Sequence, residues 1–284
     1  MRFQGLISRV MISAMVLSFL FLILLFAYVN VVKWLIVSFT IGMGSVAIWE
    51  YGCLAQVTKN KGLIALCITI GALVIFGFFA STLHHFSSNL PFIFLFIGLI
   101  SICFYHFTKI SHAISSIAKS LFGICYVAIP LGLILKILYL YPLCKIGGEG
   151  RIWVIYLLVV TKITDVGAYF GGHAFGKRKL APSLSPYKTI EGAVIGFILA
   201  IVCSFLFYLT FHSTDNFYLT WIDSLYLGVL LGCLGQIGDV VESLLKRNAG
   251  VKDSNCWPGL GGVLDMLDSL LFTTPIIYFF LYAY

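Results

Sequence analysis

The stretch GAVIGFILAIVCSFLFYLTF, residues 192–211, contains no charged side chain. An α-helix rises about 1.5 Å per residue, so these residues can cross the roughly 30 Å hydrocarbon core of a bilayer. Similar runs recur throughout the 284-residue chain, which is 61% hydrophobic and only 10% charged. Strands of a membrane barrel would be about half as long and would alternate apolar with polar residues. The sequence therefore predicts an all-α, polytopic integral membrane protein.

About nine transmembrane helices are predicted from the apolar windows and the polar breaks between them. The first has Arg2 and Arg9 at its N-terminal end, like the charged flank of a signal peptide, but no convincing small-residue cleavage site follows it, so we interpret it as an uncleaved span. The fifth contains Pro130, and the KISHAISSIAKS segment before it has the composition of an amphipathic surface helix. The predicted spans are 8–29, 31–52, 63–81, 90–108, 120–141, 152–172, 191–211, 222–244 and 266–284.

The distribution of Lys and Arg predicts the orientation. Most of these residues lie in segments on the same side as the N-terminus, which the positive-inside rule assigns to the cytoplasm. The two longest polar connections, 173–190 and 245–265, then face the cytoplasm as well. We therefore expect any molecule that binds these two connections to come from the cytosol.

Composition also excludes two classes of function. The net charge of +7 does not indicate nucleic-acid binding, because the 18 basic residues are spread over the ends of the spans. The eight cysteines are scattered, without a CxxC pair or a His at ligand spacing, so we interpret them as small buried hydrophobic residues. Neither a nucleic-acid surface nor a zinc site is predicted.

The acidic residues are concentrated in two short regions near the C-terminus. On a helix, Asp239, Glu242 and Lys246 share one face, and Asp265 and Asp268 share another. An ionised carboxylate in the membrane costs about 2.5–3.5 kcal/mol on insertion scales and normally marks a function. Oxygen donors without His or Cys suit a hard cation such as Mg²⁺, which also takes phosphate oxygens.

A third polar face is predicted on the sixth span, where Lys162, Asp165 and Tyr169 follow one another at helical spacing. Ion pairs within the spans, Lys162 with Asp165 and Lys246 with Glu242, are the alternative interpretation of these charges. Such pairs would need no metal ion.

Two further segments have the composition of phosphate-binding elements. GLGG, 259–262, precedes a helix whose first amides could approach an anion, although a simple helix cap would look the same. KRKLAPSLSPYKTIEG, 177–192, adds Lys, Ser and Thr donors, and alone it would be an ordinary topology signal. Together with the acids, these segments predict a nucleoside triphosphate site.

Two blocks of sequence resemble the phosphatidate cytidylyltransferases, also called CDP-diacylglycerol synthases. They are KITDVGAYFGGHAFGKRKLAPSLSPYKTIEG, 162–192, and GDVVESLLKRNAGVKDSNCWPGLGGVLDMLDS, 238–269. The resemblance implies transfer of CMP from CTP to phosphatidate, with release of pyrophosphate, in a cell inner membrane. It also implies an N-terminal transmembrane part, 1–150, and a C-terminal catalytic part, 151–284.

The resemblance implies roles for individual residues. Expected metal ligands for Mg²⁺, with or without a second cation, are Asp239, Asp265 and Glu242. Expected catalytic residues are Asp165, Lys246, Arg247 and Asp268. Expected substrate-binding residues are Ser185, Lys188, Thr189, Ser243, Lys252, Gly261 and Gly262. The expected partners are CTP, phosphatidate and membrane lipids, and a homodimer packed through the N-terminal spans is a further hypothesis.

The sequence departs from the family pattern at two positions. Leu260 stands where the family usually has His, and Met266 where it has Arg. Leu cannot donate a proton, and Met cannot bind a phosphate with two hydrogen bonds.

Two other functions remain as alternatives. A CTP-dependent lipid kinase would use a similar site but transfer the γ-phosphoryl group to an alcohol. A cation-coupled transporter would also carry carboxylates within its spans.

Overall fold

The fold is a bundle of membrane-length α-helices. The computed structural model describes residues 23–83, 85–107, 112–140, 149–212, 217–251 and 262–283. Within them, eight helices are α1 (Asn30–Leu54), α2 (Lys61–Ala80), α3 (Leu90–His106), α4 (Ala113–Leu140), α5 (Gly150–Phe175), α6 (Ile190–Phe211), α7 (Trp221–Asn248) and α8 (Val263–Ala283).

The helices confirm an all-α, polytopic membrane protein. Seven helices of the described ranges are long and apolar enough to cross a membrane, and the shorter α3 is also apolar. Every predicted span from the second onward overlaps one of the eight helices. The first predicted span, 8–29, falls mostly on residues outside the described ones. The total of nine spans and the cytoplasmic N-terminus stay predictions.

Two connecting regions differ from their sequence-based interpretation. Helix α4 begins at Ala113 and continues through Pro130, so most of the segment interpreted as an amphipathic surface helix is continuous with the helix of the fifth span. The predicted loop 173–190 begins with the last turn of α5 and then forms an antiparallel hairpin. Its strands are β1 (Lys179–Ala181) and β2 (Ser185–Thr189).

Small residues allow the C-terminal helices to pack closely. A Cβ atom on Gly192 of α6 would lie 2.5 Å from the Ala168 carbonyl oxygen of α5. A Cβ atom on Gly238 of α7 would lie 2.5 Å from the Asp268 carbonyl oxygen of α8. Close packing through small residues is a common way to associate membrane helices, because lipid offers no hydrophobic driving force between them. The contact at Gly238 brings the polar segments of α7 and α8 together.

Buried hydrogen bonds join the same helices. The Tyr156 hydroxyl of α5 lies 2.6 Å from Ser204 Oγ of α6, which donates to the Ser224 carbonyl oxygen of α7. Thr161 of α5 donates to the Thr273 hydroxyl of α8 across 3.1 Å. Helices α5 to α8 therefore form one framework that holds the polar residues described next.

Candidate functional site

Three carboxylates from two helices meet in one cluster. Asp239 and Glu242 lie one turn apart on α7, and Asp268 lies in the second turn of α8. One oxygen atom from each lies within 4.8 Å of the others. Glu242 and Asp268 are only 1% and 6% exposed. Acids from the two helical faces that the sequence predicts therefore meet in the folded chain.

Lysine side chains surround the cluster. Lys246 Nζ lies 3.0 Å from Glu242 Oε2 and 3.1 Å from Asp265 Oδ1. Lys188 of β2 forms an ion pair with Asp239 across 2.5 Å. Asp265 is thus held by Lys246 and is not one of the three carboxylates whose oxygens all lie within 4.8 Å of one another. Asp268, expected to be catalytic, is one of those three.

A second polar group lies next to this cluster on α5. Lys162 Nζ lies 3.1 Å from Asp165 Oδ2 and also donates to Ser269 Oγ and to the Met266 carbonyl oxygen. Ser269 donates in turn to Asp165 across 3.1 Å. Both ion pairs proposed as an alternative interpretation, Lys162 with Asp165 and Lys246 with Glu242, are therefore present beside the carboxylate cluster.

The donor set fits a divalent cation. Glu242 Oε1 is buried and accepts no hydrogen bond from a donor in the described part of the chain. Within that part, the three clustered carboxylates and the neighbouring Asp165 and Asp265 share the ammonium groups of three lysines, so full ionisation would leave two uncompensated negative charges. Oxygen-only donors and this residual charge match Mg²⁺. Asp239, Glu242 and Asp268 are the residues that could hold it.

A cavity of about 470 Å³ opens beside the cluster, between α5, α6, α7 and the hairpin. Asp165 and Asp239 form part of its wall, and Ser185 and Lys188 of β2 face it from the other side. Tyr187, which also lines the cavity, is 81% exposed. The cavity therefore brings Asp165 and Asp239 together with Ser and Lys side chains of the hairpin. That segment 177–192 binds phosphate stays a prediction.

The hairpin is fixed by specific hydrogen bonds. Thr189 accepts a hydrogen bond from the Gly192 amide and so caps the N-terminus of α6. Glu191 accepts from the amides of Lys177 and Arg178 at the start of the hairpin. Glu191 lies in the first turn of α6, where a negative charge interacts favourably with the helix dipole. Thr189 lines the cavity, but its hydroxyl already has this structural partner.

Several predicted site residues have other positions. Arg247 donates to the carbonyl oxygens of Leu184 and Val251, so it joins the hairpin to the end of α7 and not to the carboxylates. Ser243 is buried on α7 but does not line the cavity. Lys252, Gly261 and Leu260 lie outside the described residues.

The N-terminus of α8 differs from its sequence-based interpretation as an anion site. Gly262 immediately precedes the helix, but the amides of Val263 and Leu264 donate to the carboxylate of Glu50 on α1. These two amides are therefore occupied by the protein itself. Sequence reasoning missed Glu50, although a lone acid within an apolar span is the kind of signal that indicates a function.

The fold and the site together define a polytopic membrane protein with a carboxylate-rich polar site between its C-terminal helices. The chain matches the model of the cytidylyltransferase family over residues 8–284. It therefore belongs to the cytidylyltransferase family.

Named relatives agree with this membership. The phosphatidate cytidylyltransferase of Chlamydia pneumoniae is 34% identical over 289 aligned positions, which cover 98% of this chain and 92% of the relative. That of Chlamydia trachomatis is 40% identical over 191 positions, 66% of this chain and 62% of the relative. That of Bacillus subtilis is 42% identical over 144 positions, 50% of this chain and 52% of the relative.

Proposed function

We propose that this chain is a phosphatidate cytidylyltransferase, which converts CTP and phosphatidate to CDP-diacylglycerol and pyrophosphate. The observation that carries the proposal is the cluster of Asp239, Glu242 and Asp268 beside a cavity lined by Lys188 and Ser185. Family membership and the names of the relatives support the choice of substrates. Among the described residues of the two motif blocks, the cavity is lined by Asp165, Ser185, Lys188, Thr189 and Asp239.

The proposed cofactor is Mg²⁺, held by Asp239, Glu242 and Asp268. When bound, it would neutralise negative charge on the phosphates during the displacement. Asp265 is placed near it through Lys246, which contacts both Asp265 and Glu242. A second cation would be held by Asp165, which lines the cavity and pairs with Lys162.

The chemistry requires positioning more than proton transfer. An ionised oxygen of phosphatidate attacks the α-phosphorus of CTP, the new P–O bond forms, and the bond to the β-phosphate oxygen breaks to release pyrophosphate. Because the nucleophile is already an anion, no general base is needed. The protein must hold two anions together, and Lys188 and Lys246 supply positive charge on either side of the carboxylates.

We further propose that the site faces the cytoplasm in the cell inner membrane, where CTP is available. The exposed Tyr169 and Tyr187 line the cavity, which would admit a nucleotide and a lipid headgroup from the membrane surface. A homodimer through the N-terminal helices stays a hypothesis.

The proposal is tested by pyrophosphate release from purified protein supplied with CTP, Mg²⁺ and phosphatidate in mixed micelles. We expect release that EDTA abolishes and that Asp239→Asn reduces at least 100-fold. The matched control is Asp223→Asn, which changes an acid in the N-terminal capping box of the same helix. Full activity of Asp239→Asn, or no release by the unmodified protein, would contradict the proposal.

A further inference from the structure

Glu50 is a buried carboxylate contributed by the N-terminal half of the chain. It lies near the end of α1 and is 4% exposed. Its Oε1 accepts a hydrogen bond from the Val263 amide at 3.1 Å, and its Oε2 accepts one from the Leu264 amide at 2.8 Å. These donors are the first two residues of α8, more than 200 positions away in the sequence.

This contact replaces a local helix cap. The first amides of a helix have no partner within the helix and are usually capped by the side chain of the preceding residue. Here that residue is Gly262, which has no side chain. The Glu50 carboxylate binds two of the free amides at once, and a negative charge there is favourable for the helix dipole. The start of α8 is therefore fixed relative to α1.

The same first turns of α8 carry part of the site. Asp265 is the third residue of the helix and Asp268 follows one turn later. At Asp268 the backbone of α8 lies against Gly238 of α7, so a small shift of α8 would change the distances between Asp268 and the acids of α7. Glu50 holds the end of the helix nearest to this contact.

We propose that Glu50 is a positioning residue for the carboxylate cluster: it sets the position of α8 so that Asp268 joins Asp239 and Glu242 in binding a divalent cation. This inference rests on the proposed function in one respect: both require a divalent cation at the carboxylate cluster. Glu50 is not in the group of carboxylates that could hold the cation, and each of its oxygens accepts a hydrogen bond from a backbone amide. This role of Glu50 makes the N-terminal helices part of the support of the site, although the two motif blocks do not include them.

The first test measures Mn²⁺ binding by electron paramagnetic resonance, without CTP or lipid. We expect Glu50→Gln to weaken Mn²⁺ binding by about tenfold or more, as is typical when a residue that orients metal ligands is changed. The Mg²⁺ concentration for half-maximal activity should rise by a similar factor, while kcat at saturating Mg²⁺ changes much less. The control is Ser45→Ala on the same helix, whose hydroxyl donates to the Ile41 carbonyl oxygen.

A second variant gives a rescue test. In Glu50→Gln, the side-chain NH₂ group faces a backbone N–H, and two donors repel. Val263→Pro removes one of these N–H groups, and Pro is favoured at the first position of a helix. Val263→Pro should therefore recover part of the Mn²⁺ affinity lost in Glu50→Gln, although alone it should weaken binding slightly. A residue that only stabilises the fold would not show this coupling.

The outcomes separate the inference from the proposed function. Unchanged Mn²⁺ affinity in Glu50→Gln, or a lower melting temperature with unchanged Mn²⁺ affinity, would overturn the role of Glu50. If Glu50→Gln is too unstable to purify, Val263→Pro alone is compared with the unmodified protein. An unchanged Mn²⁺ affinity in Val263→Pro would then overturn the role of Glu50. Normal Mn²⁺ binding without formation of CDP-diacylglycerol would contradict the proposed function and leave the role of Glu50 standing.

Discussion

Asp265 and Asp268 are one turn apart on α8 but have different surroundings. Asp268 belongs to the carboxylate cluster, whereas Asp265 pairs with Lys246. We therefore predict that Asp268→Asn abolishes Mn²⁺ binding and CMP transfer, and that Asp265→Asn weakens binding by about tenfold, at the low end of the range for residues that orient metal ligands. Titration of both purified variants with Mn²⁺ measures the difference. Equal loss in the two variants would assign Asp265 to the metal as well.

Lys188 presents its charge where the cavity meets the cluster. Its ammonium group pairs with Asp239 and lies in the wall that we assign to the nucleotide. Lys188→Met should raise the KM for CTP by tenfold or more, because a hydrogen bond to a charged group contributes about 1.5–3 kcal/mol. Lys179→Met, on the exposed first strand of the same hairpin, is the control. Steady-state kinetics with varied CTP measures this KM. An unchanged KM in Lys188→Met would contradict the assignment of Lys188 to the nucleotide site.

The residue-level prediction from sequence succeeded where helical spacing decides which side chains share a face. Asp239 with Glu242, and Lys162 with Asp165, follow from that rule alone. The rule cannot rank Asp265 against Asp268, because both lie on one face and the neighbouring helix decides which carboxylate enters the cluster. It also says nothing about Arg247, whose long side chain bends to the hairpin.

At the scale of elements, α5 and α6 depend on a backbone contact at Gly192. An added Cβ would meet the Ala168 carbonyl oxygen at 2.5 Å and Gly172 Cα at 2.8 Å, and neither backbone atom can move aside without separating the helices. Gly192→Ala should therefore cost about 1–3 kcal/mol, as overpacking typically does, and lower the melting temperature by several degrees. A thermal-shift measurement in detergent checks this.

The control for that substitution is Gly42→Ala in α1. A Cβ atom on Gly42 has no neighbour within 4 Å in the described part of the chain. Alanine is the better helix former by up to about 1 kcal/mol, so the melting temperature should stay the same or rise. A decrease as large as that of Gly192→Ala would mean that the contact at α5 is not the cause.

The long apolar helices could be predicted from the sequence, whereas the short polar strands could not. The spans from the second onward follow from the requirement that about 20 apolar residues cross the hydrocarbon core. The hairpin was not predicted, because its strands are three and five residues long and together contain one proline and two lysines. Its position depends on Glu191 and Arg247, whose contacts come from the folded chain.

For the whole molecule, the orientation predicted from Lys and Arg has a direct test. Tyr187 in the hairpin and Ser88 between α2 and α3 are both exposed. In a cysteine-free background, Tyr187→Cys should react with a membrane-impermeant maleimide only in inverted vesicles, and Ser88→Cys only in vesicles with the outer surface exposed. The reverse pattern would place the site on the outside.

The predicted division of the chain into parts 1–150 and 151–284 separates the family motifs from the rest, but the two parts pack against each other. Glu50 of α1 binds the start of α8, so the N-terminal part contacts the helix that carries Asp268. Sequence could not predict this contact, since it joins residues more than 200 positions apart and no short-range spacing encodes it. It depends on the tertiary arrangement of the helices.

The central claim, that the chain transfers the CMP portion of CTP to phosphatidate, is tested most directly by following the phosphorus atoms. The purified protein is incubated with Mg²⁺, phosphatidate and CTP labelled with ³²P at either the α or the γ position. We predict label in the lipid from α-labelled CTP alone, and none with Asp268→Asn. Label in the lipid from γ-labelled CTP would indicate a lipid kinase, and no labelled lipid from either substrate would contradict the assignment.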